Sequence, residues 1–151
     1  MQKNIYLALT GGLFVLATVL MSQTKKPAAT PGGSSGAKAS ITRGKQVYLE
    51  QCLACHQVDA LGVQGMNPPL VKTKFVLGDK KALIKIVLNG MQGVQVDGED
   101  YHGVMAPHPD LTDQQIADVL TYVRNSVGNK ATAVTVGEVK AVRATNTPPA
   151  Q

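Results

Sequence analysis

The chain has no tryptophan, and its aromatic residues make up only 4% of 151 positions. That scarcity argues against a core assembled from large rings of the protein's own, and it suits a core built around a buried cofactor ring. Cysteine is nearly as rare, with Cys52 and Cys55 the only two. No acidic residue precedes position 41, where Lys3, Lys25, Lys26 and Lys38 stand unopposed. The other eleven basic residues face ten acidic ones, so the formal charge of +5 falls to +1 over the remainder. The basic excess therefore describes the leading segment and argues against a nucleic-acid footprint. No nucleophile–base pair, paired-carboxylate site or phosphate loop can be read from the sequence.

What is present centres on Cys52-Leu53-Ala54-Cys55-His56. Cys-x-x-Cys-His is the attachment pattern for c-type haem: two thiols bind the macrocycle covalently and the adjacent imidazole is the proximal iron ligand. One helical turn, rising about 5 Å, brings the three side chains along one edge of a ring. Three rival readings are weaker. Structural zinc needs four nitrogen or sulfur ligands, and beyond the motif only His102 and His108 remain. A thioredoxin-type pair needs a preceding strand in a βαβ context, and nothing upstream reads as one. A simple disulfide leaves His56 without a reason.

Ahead of the motif, Ile5 to Met21 is an uncharged run of 17 residues. As a helix it spans about 25 Å, against a hydrocarbon core of about 30 Å. It is long for the apolar region of a cleaved signal and lacks a clear Ala-x-Ala site before Lys25, so an uncleaved membrane anchor is the favoured reading. The flanking lysines do not set its orientation. Haem attachment does, since c-type maturation implies the outer face of the membrane. Residues 22–40, rich in Pro, Gly, Ser and Ala, read as a flexible tether with an r.m.s. span of roughly 24 Å.

Three helices follow from local signals. One runs from Thr42 through Val47 and Tyr48 towards Cys52, with Gly44 inside it. A mid-helix glycine costs about 1 kcal/mol relative to alanine and marks a close approach by another element. A second starts at Asp79, has apolar positions Leu83, Ile84, Val87 and Leu88, and stops at Asn89-Gly90. The clearest starts with a Thr112/Gln115 capping box and the Leu111/Ile116 staple. It continues as a stripe of Ile116, Val119, Leu120 and Val123, with Tyr122 beside it, and ends near Gly128.

Gly44 with Tyr48, Cys52 to His56, Asn67-Pro68-Pro69-Leu70, Gly103-Val104-Met105 and the Tyr122 helix together resemble a class I c-type cytochrome over about residues 41–128. Leu88-Asn89-Gly90-Met91-Gln92-Gly93 followed by a Tyr-x-Gly-Val-Met turn is most similar to single-haem domains that accompany membrane-associated dehydrogenases, including quinoprotein alcohol and sugar dehydrogenases. The resemblance implies an all-α cytochrome c fold, three main helices around one covalent haem c. It implies a Gly44 contact between first and last helices, packed with Tyr122. It also implies that a proline carbonyl, from Pro68 or Pro69, orients the proximal imidazole; Pro69 is carried as the cofactor-binding residue.

A methionine thioether paired with histidine raises the reduction potential, which suits electron acceptance from a dehydrogenase and delivery to an oxidase. Met66 lies only ten residues after His56, and Met91, just past a helix end, reads as a core gap-filler. Met105 stands in a stiff turn, Gly103-Val104-Met105-Ala106-Pro107, and the family pattern also puts the ligand there. The family more often has a second proline in place of Ala106. His102 is the rival ligand, and His108 reads as a surface residue. Asp97-Gly98, between alternating apolar residues, signals a short hairpin forming a lip on the distal side. Lys72, Lys74, Lys80, Lys81 and Lys85 cluster ahead of Asp97, Glu99, Asp100, Asp110, Asp113 and Asp118, a separation suited to steering or simply to solvated faces. Thr135 to Glu138 caps one short helix through Val142, with Thr145 to Gln151 frayed.

The expected organisation is an anchor or signal at 1–21, a linker at 22–40, a haem domain at 41–128 and a C-terminal extension at 129–151. The expected function is single-electron transfer with Cys52 and Cys55 holding the haem and His56 and Met105 ligating iron. Expected partners are a dehydrogenase donor, an oxidase or cytochrome acceptor, and the membrane through the N-terminal segment. The alternatives are a dedicated electron-accepting subunit of a quinoprotein dehydrogenase and a haem-based ligand sensor.

Overall fold

The computed structural model describes residues 34–148, so the expected anchor, most of the linker and the last three residues lie outside the described residues. In chain order the elements are α1 (Ser34–Gln51), α2 (Leu53–His56), α3 (Lys74–Leu77), α4 (Lys80–Asn89), β1 (Met91–Val96), β2 (Glu99–Met105), α5 (Asp113–Asn125) and α6 (Val136–Ala144). Among the described residues no helix is long and apolar enough to cross a membrane.

α1 starts earlier than Thr42, so residues 34–40 are helix rather than linker. The reason is tertiary. Asp118 of α5 is buried, and its carboxylate accepts hydrogen bonds from Ser40 Oγ at 2.5 Å and from Arg43 Nε and Nη2 at 2.6 and 2.8 Å. A buried charge must be paired, and both donors lie on the leading part of α1. The helices touch at Gly44, where an added Cβ would lie 1.9 Å from the Asp118 carbonyl oxygen and 2.8 Å from Tyr122 Cβ. One turn on, the Tyr48 and Tyr122 rings stand 5.4 Å apart. The close approach expected at Gly44 is thus present, with Tyr122 as its neighbour.

The other helices follow their local signals. Asp79 caps α4, Gly90 ends it at φ +71°, and Leu83, Ile84, Val87 and Leu88 are buried. The Thr112/Gln115 capping box opens α5, which buries Ile116, Val119, Leu120 and Val123. Ile84 and Ile116 are fully enclosed, each contributing about 2 kcal/mol through burial. β1 and β2 form an antiparallel hairpin, Met91 opposite Met105 and Val96 opposite Glu99, with a bulge between Gln92 and Val94. Its turn, Asp97-Gly98, takes positive φ at both residues, as a tight hairpin with right-twisted strands requires. Met105 is accordingly the last residue of a strand and not part of a free turn.

The C-terminal extension is built into the domain. The Thr135/Glu138 capping box opens α6, which buries Val139 and Val142 and packs on α4 and α5. Arg124, buried on α5, donates to the carbonyls of Val76, Gly78 and Thr132. Asn129 donates to the carbonyls of Leu70 and Val123 and accepts from the Lys72 amide. Asn146, expected to fray, exchanges two side-chain amide bonds with Asn89. The charge separation is smaller than the sequence suggests. Asp118 is buried against Arg43, Asp113 pairs with Arg143, and Lys80 pairs with Glu138.

Candidate functional site

A cleft opens between α2, the Asn67–Leu70 loop, α4, the hairpin and α5, enclosing about 1410 Å³ of atom-free space with its mouth included. Its walls are mostly aliphatic: Leu70, Val76, Leu83, Ile86, Val87, Val94, Val96, Val119, Leu120 and Val123. No Lys, Arg, Asp or Glu lines it among the described residues. The sequence-derived residues Cys52, Cys55, His56, Pro69 and Met105 all border this one cleft. His102 and Met66 do not; both are exposed, and they belong to a seam where the His102 and Gly103 amides donate to the Gly65 and Met66 carbonyls.

The motif sits on a single helical turn. Cys52 caps α2, and its carbonyl accepts from the amides of Cys55 and His56 at 3.2 and 3.0 Å. Tyr48 braces the turn by donating its hydroxyl to the Gln57 carbonyl at 2.6 Å. Burial pushes the Cys52 thiol up to about 11, with the neighbouring Cys55 adding to the effect. Among the described residues helix α1 rather than a strand precedes the pair, which disfavours a thioredoxin-like use. Among the described residues no three His, Cys, Asp or Glu side chains converge on a metal-sized site, so a zinc cluster is not built there either.

His56 is 8% exposed, and its Nδ1 lies 3.2 Å from the carbonyl oxygen of Pro68. The orienting carbonyl is therefore that of Pro68, whereas Pro69, named from the sequence, contributes only to the cleft wall. With Nδ1 donating, Nε2 is the nitrogen left to a metal. Burial lowers the imidazole pKa, partly offset by the Pro68 bond, which favours the neutral form that can ligate.

Among the further residues bordering the cleft that sequence reasoning did not place there are Met91, Tyr101 and His108. Tyr101 shares a face of β2 with Gly103 and Met105, a period-2 relation present in the sequence. Met91 joins them only through the strand register opposite Met105. His108, expected at the surface, is half-buried because its amide donates to the Val87 carbonyl.

An uncharged cleft bordered by two thiols, an imidazole and a thioether suits a covalently held haem: thiols for attachment, nitrogen and sulfur for iron, aliphatic walls for the ring. That fold and donor set define a small c-type haem domain. The family described as cytochrome c matches residues 41–126, and the chain belongs to that family. It is 34% identical over 130 residues to a cytochrome c-552 of Thermus thermophilus, covering 80% of this chain and 85% of the relative. It is also 34% identical over 120 residues to the cytochrome c subunit of alcohol dehydrogenase (quinone) from Gluconacetobacter polyoxogenes, covering 76% of this chain but 25% of that subunit. Over 105 residues it is 33% identical to the cbb3-type cytochrome c oxidase subunit CcoP of an Azospirillum species, covering 65% of this chain and 32% of that subunit. As a family member the chain carries covalent haem c and transfers electrons.

Proposed function

We propose that the chain is a single-haem electron carrier in which Cys52 and Cys55 would form the thioether links and His56 and Met105 would ligate the iron. One observation carries the reading: Met105, half the domain away in sequence, borders the same uncharged cleft as the Cys-x-x-Cys-His turn. When bound, the haem supplies a one-electron change between ferric and ferrous iron. The chain's residues set the conditions. Pro68 fixes the imidazole through Nδ1, the aliphatic walls shield the cleft from water, and a Met105 thioether on the iron would raise the potential.

The donor and acceptor in this reading are a membrane or periplasmic dehydrogenase and a terminal oxidase or cytochrome. Relatives named as subunits of a quinone alcohol dehydrogenase and of an oxidase support redox proteins as partners. The relative named as a quinone alcohol dehydrogenase subunit favours a second reading, a dedicated electron-accepting subunit of a quinoprotein dehydrogenase, separable by which proteins co-purify. The apolar run Ile5–Met21 supports an anchor holding the domain at the outer face of the membrane, and the intact mass of the purified protein tests its retention.

The test is an absorbance spectrum of the haem-loaded protein, oxidised and reduced, with and without carbon monoxide. A c-type reduced spectrum, a far-red band from methionine on ferric iron that vanishes in Met105→Ala, and indifference to carbon monoxide are expected. Ready carbon monoxide binding without that band would replace the carrier by a ligand sensor.

A further inference from the structure

The hairpin bearing Met105 has few anchors of its own. A two-stranded hairpin is marginal in isolation, and among the described residues its backbone ties to the rest of the domain are mainly the His102 and Gly103 amides on the Gly65 and Met66 carbonyls. What closes its base lies at the far end of the chain. Before β1, Asn89 exchanges two amide hydrogen bonds with Asn146, at 3.0 and 2.8 Å. After β2, the Arg143 guanidinium donates to the Pro109 carbonyl at 2.9 Å, the Leu111 carbonyl at 2.5 Å and the Asp113 carboxylate at 2.7 Å. The two flanks meet at Gly90, where an added Cβ would lie 2.3 Å from the Met105 carbonyl oxygen. Arg143, in the last turn of α6, and Asn146, just past its Thr145 cap, sit three residues apart on a helix seated by the fully buried Val139. α6, Arg143 and Asn146 all lie beyond the residues 41–126 that match the family.

We propose that the end of α6 is a clamp on the Met105 hairpin, with Arg143 and Asn146 as positioning residues that set how readily the methionine yields its place on the iron. The inference rests on Met105 being the sixth ligand. To exchange that ligand, the Met105 sulfur must leave and the strand end must move with it. Arg143 holds the segment after Met105 and Asn146 the residue before Gly90, so motion of the base breaks bonds at both flanks. The clamp thereby favours the methionine-bound state over an opened one without touching the cofactor.

The test uses the haem-loaded full chain and imidazole as competing ligand, with loss of the far-red methionine band as readout. Arg143→Ala is expected to raise the apparent affinity for imidazole about tenfold, and Asn146→Ala about threefold, the scale of losing a few hydrogen bonds that exist only in the closed state. Arg143→Lys, which keeps the charge but not the three-way fork, is expected to behave like Arg143→Ala. Arg43→Ala, which breaks the distant pair with Asp118, serves as the stability control and is expected to lower the melting temperature with no change in imidazole affinity. Affinities within twofold of native in both α6 variants, or an equal rise in Arg43→Ala, would overturn the clamp. Should Arg143→Ala fail to accumulate, Asn146→Ala decides alone by the same criterion. A native protein without the methionine band would instead overturn the ligand assignment and the clamp with it, a result visible before any α6 variant is made.

Discussion

The wall of the cleft that carries His56 closes on itself between Cys52 and Pro68. Its backbone bonds run from Cys55 and His56 to Cys52, from Gly62 to His56 and from Leu70 to Ala60, and its imidazole leans on Pro68. The wall that carries Met105 is assembled from pieces far apart in the chain: Gly90 against the Met105 carbonyl, Gly103 against Met66, and Asn146 and Arg143 at the base. The proximal side is thus mostly local, with Asn129 and the seam to His102 and Gly103 as its distant struts, and the distal side is almost all struts. A local turn tolerates loss of remote contacts, whereas a wall made of remote contacts does not.

The largest expected effect comes from Gly90→Ala, which strikes the distal base. The residue has φ +71°, and its Cβ would meet the Met105 carbonyl oxygen. Overpacking and backbone strain add to about 3 kcal/mol or more, checked by chemical denaturation, together with weakening of the methionine band. Asn129→Ala tests the side-chain strut of the proximal wall. It strands the Leu70 and Val123 carbonyls and the Lys72 amide, for about 2 kcal/mol of stability in denaturant titration, while the His56-dependent spectrum should persist because the Cys52–Pro68 turn is self-contained. If the spectrum is lost as well, the proximal wall is no more local than the distal one.

Met91→Leu sharpens the comparison within the distal wall. Met91 lies opposite Met105 and borders the same cleft, so a volume-conserving change should cost less than about 1.5 kcal/mol and leave the far-red band intact. A band lost in Met91→Leu and kept in Met105→Leu would reverse the ligand assignment.

The smallest effect concerns acid. Burial pushes the Glu138 carboxyl up, but the Lys80 ammonium at 2.5 Å and the Thr135 cap outweigh it and hold the pKa below its ordinary value of 4.5. A carboxyl depressed in the folded state contributes stability that is complete above its unfolded pKa and is lost as pH falls through the folded one. The seating of α6 should therefore weaken below about pH 4.5, by under about 1 kcal/mol for so exposed a pair, and Glu138→Gln should remove that part of the pH dependence of the melting temperature.

Legibility in the sequence followed the range of the interactions. The Cys52–His56 turn, the Asp79, Thr112 and Thr135 caps, the Asn89-Gly90 stop and the Asp97-Gly98 turn were each readable because each is satisfied within a few residues. Gly44 was readable as a close approach, since a helix interior offers glycine no other advantage. The start of α1 was not, because Ser34 to Ser40 has the composition of a linker and is drawn into the helix by a carboxylate about eighty residues away. Asp118 itself read as one more surface acid. The choice between Pro68 and Pro69 depended on a single carbonyl direction that no residue type encodes.

By itself, then, the sequence determined a c-type haem attachment turn, a set of capped amphipathic helices and a short hairpin turning at Asp97-Gly98, all short-range consequences of residue type and spacing. Only the tertiary structure decided that Met91, Tyr101 and His108 share the cleft, that Asn129 braces the Pro68 loop, and that the C-terminal helix grips the base of the methionine hairpin. The physical reason is that hydrogen bonds between side chains and distant backbone carbonyls depend on where the chain folds back, and that return path is set by the packing of α1, α4 and α5 as a whole.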